Sequence, residues 1–151
     1  MIDFEKLKTL RKKTEVSLAL CRKALEESKN DLKKAEELLK QWGAEKISAK
    51  TGRKTAEGAF FSYVHHTKKV ASLIELLCET DFVAKNESFQ RLGSELVLQL
   101  ATSQAKNVDE LLEEEYIRDP SKKIKDLFNE AITKFGENIK IGRFLVWSLA
   151  K

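Results

Sequence analysis

Hydrophobic residues recur at helical spacing in the first part of the chain. Three apolar stripes, with intervals of three and four residues, predict three short helices joined by polar turns. Asn30 precedes the third stripe as a helix N-cap, and Gly43 follows it as a helix end. The stripes consist of Phe4, Leu7 and Leu10, of Val16, Leu20, Ala24 and Leu25, and of Leu32, Ala35, Leu38, Leu39 and Trp42. This part of the chain is predicted to form a small three-helix bundle.

The segment after the bundle marks a predicted domain boundary. Residues 44–55 are polar and basic and include Gly52. We interpret them as a helix followed by a linker. The predicted domains are therefore residues 1–54, which are helical, and residues 55–151.

Two aromatic and β-branched runs begin the second domain. Residues 58–66 and 70–78 predict the strands of an antiparallel hairpin, with Thr67 and Lys68 in its turn. In that register Cys78 lies near Glu57, at the end of the hairpin away from the turn.

The rest of the domain is predicted to contain further helices and one more strand. A helix begins after Asn86, which is a good N-cap. A closing helix, capped by residues 119–121, ends at Gly136. A final strand follows, with a bulge near Gly142.

The predicted fold class is α+β. The three-helix bundle resembles a ubiquitin-associated fold. It is followed by a small antiparallel sheet packed against helices on one face.

The composition indicates a soluble globular protein, since 42% of the residues are hydrophobic and 34% are charged. No apolar run reaches the roughly 18 residues that a membrane-spanning helix needs. The first residues include acids where a secretion signal would carry a basic region. Cys21 and Cys78 are expected to be reduced thiols in the core. These features predict a cytoplasmic protein that does not bind a membrane.

The positive charge is concentrated in the first domain. Residues 1–54 contain 15 Lys and Arg against 9 Asp and Glu, a formal charge of +6. Such a surface is typical of proteins that bind nucleic acid or an acidic protein partner. It is also what the solvated face of a lysine-rich helix looks like. Because interleaved surface aromatics and nucleic-acid motifs are absent, we predict no direct nucleic-acid binding and keep a basic RNA-binding module as an alternative.

No residues suggest catalysis or a cofactor. The glycine-rich nucleotide motifs are absent, and no Ser or Cys stands in a nucleophile context. His65 and His66, as neighbours on a strand, are expected to point to opposite faces. Cys78 lies about 30 Å along the hairpin from them. The sequence therefore predicts no metal site, no cofactor and no enzyme activity.

The run from Thr80 to Val83 lies between the second strand and the helix that follows Asn86. Connections of this kind run over the surface. Phe82 is therefore either folded back as a plug or held out for a partner. Most loop aromatics pack inward, so the residues alone favour the plug.

Four blocks of the chain, in order, resemble the elongation factor Ts family. Thr80-Asp81-Phe82-Val83 is similar to the family's Thr-Asp-Phe-Val signature. The other blocks are Leu10-Arg11-Lys12-Lys13-Thr14 with Cys21-Arg22-Lys23-Ala24-Leu25, Ala56-Glu57-Gly58 with Ser62-Tyr63-Val64-His65-His66, and Lys125-Asp126-Leu127 through Lys134-Phe135-Gly136-Glu137-Asn138-Ile139 with Arg143-Phe144.

The resemblance implies a guanine nucleotide exchange factor that frees the GTPase elongation factor Tu of GDP. In that family the Phe of the signature is pushed into the GTPase near its Mg²⁺, which favours a displayed Phe82. The residues implied at this contact are Thr80, Asp81, Phe82 and Val83. Those implied in docking of the helical domain are Arg11, Leu18, Ala19 and Arg22, and those implied in secondary contacts are His66, Phe135, Gly136 and Glu137.

The chain departs from the family between Thr14 and Cys21. The family usually reads Gly-Ala-Gly-Met-Met-Asp there, and the two Met positions become Leu18 and Ala19. Met suits adaptable binding surfaces, so this change is expected to retune docking. A chaperone or binder of the GTPase without exchange activity is therefore a second alternative.

The chain also resembles only one copy of the family's core. The second core half of long members is missing, and the segment before the closing helix is short. We therefore predict a homodimer in which two cores replace the repeated pair.

Overall fold

The computed structural model describes residues 1–149 and divides into two compact units. The first unit ends at Thr51, and the second begins at Gly52. Each unit has its own buried core.

The first unit is a bundle of three helices: α1 (Phe4–Thr14), α2 (Leu18–Glu27) and α3 (Leu32–Lys50). The side chains of Asp3 and Ser17 cap α1 and α2 by accepting backbone N–H bonds. All three predicted stripes contribute to the core, although Phe4 itself is exposed. The buried residues are Leu7, Leu10, Cys21, Ala24, Leu25, Ala35 and Leu39.

The third helix differs from its prediction at both ends. Asp31, not Asn30, is the N-cap, and its carboxylate accepts the Lys34 N–H at 3.2 Å. Asn30 has a left-handed φ of 64°, and its side chain donates to the Met1 carbonyl at 2.8 Å. The helix also continues through Gly43, because the helix-forming residues around it outweigh a glycine cost of about 1 kcal/mol.

The second unit contains a three-stranded sheet, a two-stranded ribbon and four helices within the described residues. The strands are β1 (Glu57–Val64), β2 (Val70–Cys78), β3 (Glu115–Tyr116), β4 (Asp119–Lys123) and β5 (Lys140–Ser148). The helices are α4 (Asp81–Ala84), α5 (Glu87–Leu100), α6 (Val108–Glu113) and α7 (Ile124–Phe135).

The sheet is antiparallel with strand order β1-β2-β5. Glu57 lies opposite Cys78, so the predicted hairpin register is confirmed. The pairing of β2 with β5 shifts beside Glu75, where β5 contributes both Gly142 and Arg143. The predicted bulge near Gly142 is therefore also confirmed.

The two adjacent histidines lie in the hairpin turn, because β1 ends at Val64. Lys68 has a φ of 65°, and its N–H donates to the His65 carbonyl at 2.8 Å. The rings of His65 and His66 lie 4.1 Å apart between centroids. The expectation that they point to opposite faces is wrong, since that alternation holds only within a strand.

One face of the sheet is covered by α5. A Cβ at Gly93 would lie only 2.1 Å from the ring of Phe61, so glycine allows the helix to approach β1 closely. The rings of Phe61 and Phe89 lie 6.4 Å apart between centroids. The predicted α+β class, with helices on the sheet, is confirmed. Fully buried residues around this contact include Ile74, Leu76, Phe89, Leu96 and Leu100.

The ribbon of β3 and β4 was not predicted, and it changes how α7 begins. Residues 119–121 belong to β4 and do not cap the closing helix. The cap is instead Lys123, whose N–H donates to the Asp126 carboxylate at 2.9 Å. Gly136, with a φ of 70°, ends the helix as predicted. No helix within residues 1–149 is long and apolar enough to cross a membrane.

Candidate partner-binding site

Asp81 and Phe82 lie in a helix of a single turn, where the sequence predicted an irregular connection. The helix begins because the hydroxyl of Thr80 accepts the Val83 N–H at 3.3 Å. It ends because Asn86 caps α5 almost immediately, accepting the N–H of that helix's second residue. Two successive caps therefore define the conformation of this short segment, which we call the display turn (residues 80–85).

The display turn buries two residues and exposes its aromatic. Val83 and Ala84 are 5% and 7% exposed, and they fasten the turn to the core. Phe82 is 81% exposed. Asp81 is also exposed and lies 3.6 Å from the Lys85 ammonium. The structure excludes the plug, and it leaves the Phe82 ring free for contact with a partner.

The carboxylate of Glu137 holds the beginning of the display turn. One oxygen accepts the backbone N–H groups of Glu79 and Thr80, each at 3.1 Å. The other oxygen accepts the Thr80 hydroxyl at 2.7 Å. Hydrogen bonds to a charged acceptor are about twice as strong as neutral ones. Glu137 thus ties the turn to the loop that follows α7.

The carboxylate of Glu79, in turn, accepts a hydrogen bond from the loop after α7. Glu79 accepts the Asn138 N–H at 2.5 Å and lies 3.6 Å from the Arg53 guanidinium. The side-chain amide of Asn138 donates to the Arg53 carbonyl at 2.9 Å. Residues 79–80, where the display turn begins, and the loop after α7 therefore exchange side-chain-to-backbone bonds both ways.

The same loop carries the predicted secondary contacts Phe135 and Gly136. Phe135 is half-buried at the end of α7, and Gly136 takes the left-handed conformation that glycine favours. The structure thus brings these residues close to the display turn through Glu137.

His66 does not join this cluster. It is exposed in the turn of the β1–β2 hairpin, whereas the display turn follows the other end of β2. At roughly 3.3 Å per residue, the nine residues of β2 separate the two by about 30 Å.

A buried thiol lies beneath the display turn. The Cys78 sulfur donates to the Thr80 carbonyl at 3.2 Å. Burial first, and the negative charge of Glu137 second, raise the pKa of Cys78 to about 11. The thiol is therefore protonated at neutral pH and is a poor nucleophile.

The predicted docking residues lie in the first unit. Leu18, Ala19 and Arg22 are exposed on the first turns of α2, and Arg11 is exposed on α1. Leu18 and Arg22 also line a shallow groove with the apolar side chains of Phe4, Leu7 and Leu25. The rim of the groove carries both Arg22 and Glu26, which form an ion pair at 3.5 Å. An apolar floor with a charged rim is suited to an amphipathic helix of a partner.

No cluster of three or more metal-ligating side chains occurs in the described part of the chain. Sequence reasoning missed Glu79, Asn138 and Arg53 as supports of the display turn. No local pattern could have revealed them, since Glu79 and Asn138 are 59 residues apart.

Comparison with known proteins places these two regions in one family. The model of the family "Elongation factor TS" matches residues 79–151, which include both the display turn and Glu137. A second model, "Elongation factor Ts, mitochondrial, N-terminal", matches residues 2–46. An elongation factor Ts of Leptospira biflexa serovar Patoc (strain Patoc 1 / Ames) is 36% identical over 188 aligned positions, which cover 95% of each chain. The chain belongs to the elongation factor Ts family.

Other members of the elongation factor Ts family are longer. The elongation factor Ts of Clostridium botulinum (strain 657 / Type Ba4) is 43% identical over 151 residues, which is all of this chain and 49% of that protein. The chain thus spans about half the length of the Clostridium relatives that it matches. The resemblance inferred from the four sequence blocks is confirmed.

Proposed function

We propose that the chain is a guanine nucleotide exchange factor that promotes GDP release from elongation factor Tu during translation elongation. The observation that carries the proposal is Phe82, which is 81% exposed on a turn fixed by caps and by Glu137. A large apolar side chain held in water is stabilised when a partner buries it. Membership of the elongation factor Ts family supports the choice of partner.

The display turn acts as a wedge in this proposal. Phe82 inserts between helices of the GTPase near its bound Mg²⁺, with Asp81 beside it and with Thr80 and Val83 shaping the contact. The insertion shifts the groups that hold Mg²⁺ and the phosphates. Loss of Mg²⁺ leaves the charge of GDP poorly compensated, so nucleotide affinity falls. No covalent bond changes, so the chain needs no catalytic nucleophile or metal of its own.

The first unit has a separate role in the proposal, which is to dock on the nucleotide domain of the GTPase. Arg11, Leu18, Ala19 and Arg22 supply that contact, and the groove beside Leu18 accepts an amphipathic helix. His66, Phe135 and Gly136 supply secondary contacts, and Glu137 belongs to the same loop. Since the proposed partner is cytoplasmic, we propose that this protein is cytoplasmic too.

The coupling between GDP and the exchange factor is reciprocal. If binding of the factor weakens GDP, GDP weakens binding of the factor by the same amount. A coupling of about 4 kcal/mol corresponds to nearly a thousandfold change in affinity.

The function is tested by release of a fluorescent GDP analogue from elongation factor Tu, with the factor well below the GTPase concentration. We expect the wild-type chain to accelerate release and to turn over many times. Phe82→Ala should lower the maximal rate by about 30- to 1,000-fold, as removal of an interface hot spot of about 2–4 kcal/mol does. Ile117→Ala is the matched control, since Ile117 is a large exposed apolar residue of the same unit outside the turn.

Two outcomes would contradict the exchange proposal. Acceleration that is equal in wild type and Phe82→Ala would remove the wedge. A stable complex on a sizing column without acceleration would favour the alternative of a binder that does not exchange nucleotide.

We also propose that the chain forms a homodimer through the open face of its sheet. Phe60 and Trp147 are 61% and 71% exposed on the face opposite α5, and Val64 and Leu145 lie on the same face. An exposed apolar surface of this kind favours association. Light scattering at tens of micromolar should give twice the chain mass for wild type and the chain mass for Trp147→Arg. A wild-type monomer at that concentration would remove the proposal.

A further inference from the structure

We propose that Glu137 is a positioning residue that joins the display turn to the loop after α7, so that both proposed contact segments move as one rigid element. Its importance for exchange depends on the proposed function. The brace itself does not, and it can be measured in the free protein.

The carboxylate of Glu137 receives several hydrogen bonds from the start of the display turn. Glu137 accepts three bonds, from the Glu79 N–H, the Thr80 N–H and the Thr80 hydroxyl, at 3.1, 3.1 and 2.7 Å. Both of its oxygens are therefore engaged within the chain. A carboxylate occupied in this way acts on a partner through the turn that it holds.

The display turn is too short to define its own shape. α4 has four residues, and helices of that length are unstable in isolation. Its N-cap is Thr80, and the same hydroxyl that accepts the Val83 N–H donates to Glu137. Glu137 thus fixes the residue that starts the helix.

The connection between the turn and the loop after α7 is reciprocal and joins distant parts of the chain. Asn138 is 4% exposed, and its N–H donates to the Glu79 carboxylate at 2.5 Å. Loop 137–138 therefore both gives bonds to and receives bonds from residues 79–80, which are 57 to 59 positions away. Because the bonds run in opposite directions, they fix the orientation of residues 79–80 relative to loop 137–138 as well as the distance between them.

These contacts have a direct consequence for the wedge. A wedge transmits force only while its aromatic side chain stays in the competent geometry. Apparent activity therefore decreases as the fraction of time spent in that geometry decreases. Val83 and Ala84 anchor the end of the turn, whereas Glu137 anchors its beginning. Removal of Glu137 should therefore leave the fold intact and loosen the placement of Phe82.

The experiment compares Glu137→Ala and Glu137→Gln with wild type, using two readouts. The first is amide hydrogen exchange by NMR in the free protein. We expect Glu137→Ala to speed exchange at Glu79 and Thr80 by about tenfold, as loss of a hydrogen bond of about 1.4 kcal/mol does. The amide of Ile74, in the centre of β2, should keep its protection.

The second readout is steady-state GDP release. We expect Glu137→Ala to lower kcat by about tenfold with KM little changed, because docking through the first unit is untouched. Glu137→Gln should recover part of both effects, since its amide oxygen still accepts the two N–H groups. Glu130→Ala is the matched control, because Glu130 is an exposed carboxylate on α7 whose partner is Lys122. It should change neither readout.

Each result decides between the brace and its rivals. Unchanged exchange at Glu79 and Thr80 in Glu137→Ala overturns the brace. Faster amide exchange with unchanged kcat overturns the positioning role. A raised KM with unchanged amide exchange shows that Glu137 contacts the partner directly and also overturns it.

The readouts also separate failure of the proposal from other failures. If wild type does not accelerate GDP release, the proposed function fails and the brace is still judged by the amides. If Glu137→Ala loses protection at Ile74 as well, it is unfolded, and Glu137→Gln decides by the same criteria.

Discussion

At the start of α2 the proposed docking surface is held by neighbours in the sequence, whereas at the start of α4 the display turn is held by distant residues. The Ser17 hydroxyl accepts the Leu20 N–H at a long 3.4 Å. Thr80, in contrast, is fixed by Glu137 through two bonds of 3.1 and 2.7 Å. Leu18 and Phe82 are thus both exposed apolar side chains, but they differ in how the chain supports them.

The difference matches the tasks that we assign to the two regions. A docking surface binds more tightly when its side chains adapt to the partner, because it contributes binding energy throughout the exchange reaction. A wedge must keep its geometry while it moves groups of the partner, so its support must come from the rest of the fold. The comparison predicts that changes to the first region alter affinity and changes to the second alter rate.

Each region has a buried free cysteine beneath it. We expect the reactivity of these two thiols to show the largest difference between the regions. Cys21 lies under the start of α2, with its sulfur 3.6 Å from the Val16 carbonyl, and Cys78 lies under the display turn. With Cys21 replaced by Ala, Cys78 should react with a disulfide reagent at pH 8 about 100-fold more slowly than in the unfolded chain. The reason is that burial and Glu137 raise the pKa of Cys78 from 9.0 to about 11, which lowers its thiolate fraction.

The pH dependence of the reaction at Cys78, and a comparison with Cys21, make that test more specific. The rate at Cys78 should rise with pH until about 11, since a raised pKa postpones formation of the thiolate. Cys21, in a Cys78→Ala chain, should react faster because the small first unit buries few side chains and therefore opens more readily than the second unit. A Cys78 thiol that reacts faster than Cys21 would contradict the assignment of the display turn as the more rigid region.

A smaller effect is expected at the docking surface itself. Leu18→Ala removes a side chain that is 51% exposed, and it should raise the KM for elongation factor Tu by about five- to thirtyfold, which corresponds to about 1–2 kcal/mol. The kcat should stay unchanged, in contrast to Phe82→Ala. Leu98→Ala, at a partly exposed position of α5, is the control and should leave both constants unchanged.

The measurement is a titration of the exchange rate against GTPase concentration. A fall in kcat with constant KM for Leu18→Ala would remove the separation between docking and wedge. It would mean that both regions act in the same step.

Tertiary contacts explain the main failures of prediction in the second unit. The ribbon of β3 and β4 contains Pro120 and several charged residues, so it has no strand pattern of its own. It is held by Gln99, which is 4% exposed. The Gln99 amide accepts the Ile117 N–H at 3.0 Å and donates to the Glu115 carbonyl at 2.9 Å. A side chain thus supplies hydrogen bonds that a neighbouring strand would otherwise supply.

Local residue patterns were enough to predict the features that depend on periodicity and caps. The hairpin register, the start of α5 after Asn86, the end of α7 at Gly136 and the bulge near Gly142 follow from nearby residues, because each depends on alternation or on one backbone conformation. The family blocks likewise indicate Phe82 as a contact residue. The exposure of Phe82 and the hold of Glu137 on its turn, in contrast, depend on the folded chain. Those facts depend on a contact between residues 57 positions apart, and a one-turn helix has too few bonds of its own to fix a side chain.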